Sequence, residues 1–140
     1  MSDGHDGAMV EDFAASHRRD LRRWSSLVAS AQVLPKAEKE SVLRALALHD
    51  LGAAARFARH AGVGAAAIDA LLQRAMSELD ASSVGWVIED VLGALGERQF
   101  LAAIASVSAE ASRANVEKAS YWARGALSQA GRDELARIVA

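Results

Sequence analysis

The chain has 140 residues, 51% of them hydrophobic but only 5% aromatic, with a net charge of −2 and no cysteine. That length fits one domain able to bury a core, and the lack of cysteine excludes disulfides, thiolate nucleophiles and thiolate metal sites. A pI near 6.1 speaks against nucleic acid as the main partner, and no apolar run approaches the roughly 20 residues of a membrane span.

Thirty-two alanines and a single proline, Pro35, favour an all-α chain, because alanine is the residue helices accept at least cost. Residues 1–9 are acidic and glycine-rich, unlike the basic start of a signal peptide. They are expected to form a disordered tail ahead of one helical domain over 10–140, in a cytoplasmic protein. Val10, Phe13, Leu21, Trp24 and Val28 recur at helical spacing and predict a first helix to Gln32. Pro35 suits the first turn of a second helix, 36–51, carrying Leu43, Leu46, Leu48 and Leu51 and ending at Gly52.

Gly52 and Gly62 bracket a short helix around Phe57. A fourth helix covers 65–79, with Ile68, Leu71 and Leu72. Asp80 starts a fifth, since its short polar side chain satisfies free backbone N–H groups; Gly96 ends it. A sixth is expected over 98–112. Asn115 caps a seventh over 116–130, stopped by Gly131, and 133–139 forms an eighth. Short connections make successive helices antiparallel or sharply angled neighbours.

Leu48-His-Asp-Leu51-Gly52, Leu92-Gly-Ala-Leu95-Gly96 and Leu127-Ser-Gln-Ala130-Gly131 repeat at steps of 44 and 35 residues. With these, residues 36–140 resemble HEAT-like helical repeat proteins, whose units run to roughly 40–47 residues. The resemblance implies stacked antiparallel helical hairpins in a right-handed superhelix; an irregular helical bundle is the other architecture this composition allows. A second likeness is local. The segment from Phe57 to Leu71, with Ala58, the Ala61-Gly62-Val63 turn, Ile68 and Leu71, is similar to the helix-turn-helix of bacterial repressors. That likeness implies DNA reading by its second helix. That helix opens Ala65-Ala66-Ala67, where a reader needs side chains that reach base edges, so only Gln73 and Arg74 are available.

Arg18, Arg19, Arg22 and Arg23 form the one dense basic cluster, opposite the apolar stripe of the first helix. They are candidates for contact with phosphate or an acidic partner, or else a solvated face. His5, His17, His49 and His60 show no metal-ligand spacing, and His17 reads as a packing residue. No nucleophile elbow, phosphate loop or dinucleotide fingerprint occurs, so neither catalysis, a metal nor a cofactor is expected.

Trp86 stands out. On the fifth helix Val84, Val87, Ile88, Val91, Leu92 and Leu95 form the apolar stripe, and Trp86 projects away from it beside Glu89 and Asp90. It either packs on a neighbouring helix or anchors a partner, in the way exposed tryptophans often do. The two acids suit a partner bearing arginine or lysine. The expected function is a non-catalytic helical interaction module that binds another protein, self-association being compatible with it. The alternative is a helix-turn-helix transcriptional regulator.

Overall fold

A helix starts where a side chain can take up backbone N–H groups that no preceding turn can reach. In this chain such side chains recur. A computed structural model describes residues 2–17 and 19–140. Its helices are α1 (Ser2–Ser16), α2 (Leu21–Gln32), α3 (Lys36–His49), α4 (Leu51–Ala61), α5 (Ala65–Glu78), α6 (Ala81–Leu95), α7 (Glu97–Ser108), α8 (Arg113–Ala123) and α9 (Gln129–Val139), with a 3-10 turn at Arg124–Ala126. No strand occurs among the described residues. The all-α expectation is met.

The caps set a repeat that the leucine–glycine signatures do not. Asp20, Asp50, Asp80 and Ser112 each accept a hydrogen bond from the backbone N–H three residues on, opening α2, α4, α6 and α8. Their steps are 30, 30 and 32 residues, shorter than the roughly 40–47 of HEAT units. Four residues after each cap a buried side chain follows: Trp24, Ala54, Val84, Val116. Seven after come Leu27, Phe57, Val87 and Ala119, and eleven after come Ala31, Ala61, Val91 and Ala123, all buried. This is the 3.6-residue periodicity of one helix, written four times.

Packing follows the repeat. Helices α2, α4, α6 and α8 lie side by side in one row; α1 packs on α3, and α5, α7 and α9 continue a second row. The rows are tied by α1 to α2, α3 to α4, α4 to α5, α5 to α6, α6 to α7 and α8 to α9. Between α3 and α5 there is instead an apolar groove. Small residues let the central helices approach: Ala53, Ala54, Ala55, Ala58 and Ala61 of α4 are all buried.

Several sequence expectations change. The single helix over 10–32 is two, because Asp20 caps a fresh start at Leu21. The new register leaves Leu21 exposed and buries Leu27 instead. Helix α1 begins at Ser2, inside the stretch assigned to a tail; Met9, Val10 and Phe13 are its buried apolar residues. Phe13 meets Trp24 and Phe57 edge-on, at 5.0 and 4.9 Å between ring centroids, which draws α1 onto the stack.

The second expected helix ends at Asp50, not at Gly52, and Leu48 is exposed. Gly52 and Gly131 lie in the first turns of α4 and α9, while Gly96, at φ 82°, does end a helix. Gly131 is small for a tertiary reason: a Cβ there would come within 2.5 Å of Glu97 Oε1. That carboxylate accepts hydrogen bonds from Ser128 N at 2.6 Å and Ser128 Oγ at 2.8 Å. Asn115 caps nothing on its own helix. It is buried within α8 and donates from Nδ2 to the carbonyls of Met76 and Leu79, each at 2.8 Å, closing the end of α5.

Candidate functional site

Seven aromatic residues are present, and burial divides them cleanly. Phe13, Phe57, Phe100 and Trp24 are core, whereas Trp86, Tyr121 and Trp122 are 57%, 60% and 43% exposed. The exposed three sit on α6 and α8, which pack against each other. Trp86 and Trp122 line one pocket and Tyr121 lies against Trp122, so the three exposed aromatics form one contiguous face.

Helix α6 builds the centre of that face. Gly85, Trp86, Glu89, Asp90 and Gly93 follow at helical spacing and form one stripe. Its two glycines are notches. A Cβ on Gly85 would lie 2.4 Å from Trp122 Nε1, so the α8 indole rests directly on the α6 backbone. A Cβ on Gly93 would lie 2.6 Å from Arg59 Nε, so the α4 guanidinium crosses α6 there. It donates from Nη1 to Asp90 Oδ1 at 3.2 Å. Between the notches a pocket of about 420 Å³ is lined by Arg56, Arg59, His60, Trp86, Glu89 and Trp122, among others.

The charges here are unequally engaged. Arg59 is paired with Asp90, and Arg56 lies 4.9 Å from the centre of the buried Trp24 ring. Burial, followed by the nearby Arg59 charge, lowers the His60 pKa below its ordinary 6.5, which keeps the imidazole neutral at pH 7. Glu89 is exposed and makes no ion pair or hydrogen bond among the described residues. On α8, Tyr121 lies edge-on to Trp122 at 5.8 Å, and its ring holds Lys118 at 5.8 Å and Arg124 at 5.4 Å.

Trp86, Glu89 and Asp90 thus share the face expected of them. Trp86 is not core, and Asp90 is already committed to Arg59. Tyr121, Trp122 and Arg59 were not singled out in the sequence. The adjacent aromatics Tyr121-Trp122, nine and ten residues after the cap Ser112, were the available signal. They match Glu89-Asp90 after Asp80 and Arg59-His60 after Asp50.

The basic cluster is not one helix face. Arg18 lies outside the described residues, Arg19 sits in the connection between α1 and α2, and Arg22 and Arg23 project from α2. Arg23 pairs with Asp12 at 2.6 Å. Behind Trp86 a larger cleft of about 760 Å³ includes His17, Arg19, His49, Arg74 and Glu78. Asp50 beside His49 is occupied as the α4 cap, and Arg74 pairs with Glu78. No cluster of three metal-ligating side chains occurs among the described residues. Gly62 takes the left-handed φ of 79° between α4 and α5. Gln73 donates to Asp69 at 3.4 Å, so both polar side chains available for DNA reading are engaged by acids one turn away on α5.

The sequence matches no family model, and no curated protein or solved structure is similar to it.

Proposed function

We propose that this chain is a non-catalytic helical interaction module that binds another protein through the α6–α8 face. The observation that carries this is the gathering of Trp86, Tyr121 and Trp122 on one face while every other aromatic is buried. Tryptophan and tyrosine are enriched among the few residues that carry most of the binding energy of protein interfaces. The two-row stacking of helices is the kind of architecture in which extended helix faces serve as binding surfaces.

The test has two arms. Trp86→Ala should cost about 1 kcal/mol of stability or less, against the roughly 3–5 kcal/mol of a core tryptophan. Affinity capture from the source cell's lysate, with nuclease added, should retain a protein partner that the Trp86→Ala chain loses. A large loss of stability, or capture indifferent to the substitution, refutes the assignment.

A DNA-binding regulator is the second reading, favoured by the Gly62 turn joining α4 and α5. It requires sequence-selective DNA binding that persists at physiological salt and vanishes on joint replacement of Gln73 and Arg74 by alanine.

A further inference from the structure

Several cations near this face are already matched within the chain. Tyr121 holds Lys118 and Arg124, Trp24 holds Arg56, and Asp90 holds Arg59. Two groups are left over on the wall of the same pocket. The Trp122 ring carries no cation among the described residues, and the Glu89 carboxylate has no partner among them. Both are accessible. Trp122 is held at the pocket edge by the Gly85 notch, so its position is set by the backbone of α6 and not by chance rotation.

An indole face attracts a cation through its quadrupole, and a carboxylate beside it adds a charge-assisted hydrogen bond. A planar guanidinium can do both at once, its face on the ring and its edge toward the acid, whereas an ammonium is a compact point charge. We infer that the pocket between Trp86 and Trp122 receives an arginine side chain of the partner, stacked on indole and hydrogen-bonded to Glu89. This rests on the interaction-module assignment and adds to it the chemistry of the partner. The two arginines already present do not oppose it strongly, because Asp90 offsets Arg59 and Arg56 is turned onto Trp24.

The three indole N–H groups are built-in reporters for nuclear magnetic resonance. Titration with N-acetyl-arginine amide should shift the Trp122 and Trp86 signals saturably and leave the buried Trp24 signal in place. N-acetyl-citrulline amide, the same shape without charge, and N-acetyl-lysine amide should bind more weakly, and N-acetyl-glutamate amide should not bind. Glu89→Gln should weaken arginine binding roughly tenfold or more, the scale of a hydrogen bond to a charged group. Equal binding of citrulline, lysine or glutamate amides, or indifference to Glu89→Gln, overturns the inference. So does a short single-stranded oligonucleotide that alone shifts both indoles. If no amide shifts them but Trp86→Ala still abolishes partner capture, the arginine pocket falls and the interaction face stands. If Trp86→Ala instead unfolds the chain, the face itself falls.

Discussion

Gly85→Ala is the substitution for which secondary and tertiary structure predict opposite signs. Gly85 lies inside α6, where alanine is favoured over glycine by about 1 kcal/mol. The added Cβ would stand 2.4, 2.6 and 2.7 Å from Nε1, Cε2 and Cδ1 of Trp122, so the indole must leave its seat. Trp122 is 43% exposed, and a tryptophan can bury up to about 250 Å². Displacement uncovers on the order of 100 Å², worth about 2.5 kcal/mol. The net expectation is a loss of about 1.5 kcal/mol, or some 3–6 °C in Tm for a domain of this size. In a Trp122→Ala background the clash is gone, and Gly85→Ala should stabilise by about 1 kcal/mol. Thermal unfolding of the four proteins in this cycle measures the reversal. Stabilisation by Gly85→Ala in both backgrounds would refute the seating of Trp122 on α6.

Asn115→Ala removes both donors from the Met76 and Leu79 carbonyls and should cost about 2–3 kcal/mol in urea unfolding, the scale of stranded buried polar groups. Because the folded state lowers the His60 pKa, folding disfavours its protonated form. The associated stability is full above pH 6.5 and declines as pH falls below it; His60→Gln should flatten that part of the profile between pH 7 and 5, read as urea midpoints. Any affinity for DNA should be non-specific and fade steeply with salt. It should weaken when Arg19, Arg22 and Arg23 are replaced by alanine, and fluorescence anisotropy at two salt concentrations checks both.

Much of the architecture was legible in the chain. Asp80 as a cap, Gly62 and Gly96 as stops, and the stripes through Ile68, Leu71 and Leu72 or through Val84, Val87, Ile88 and Val91 are local signals. A helix reads them from its own residues. The repeat was legible too, in Asp20, Asp50 and Asp80 at equal steps, but the leucine–glycine endings masked it. Such endings are ambiguous because glycine serves both as a stop and as a place of close approach.

Sequence by itself determined that the chain is helical, which faces of its helices are apolar, and that Trp86 stands off the stripe beside two acids. Only the tertiary structure decided what meets that face. Gly85 seats Trp122, Gly93 passes Arg59 to Asp90, Glu97 holds Ser128, and Asn115 closes a helix not its own. Each of these contacts joins residues 31 to 39 positions apart. The physical reason is one of range: caps and periodicity act within a turn or two of one helix, whereas these contacts join neighbours in the stack about one repeat away. Their existence depends on how the rows pack, and a glycine carries no mark of the side chain that will rest on it.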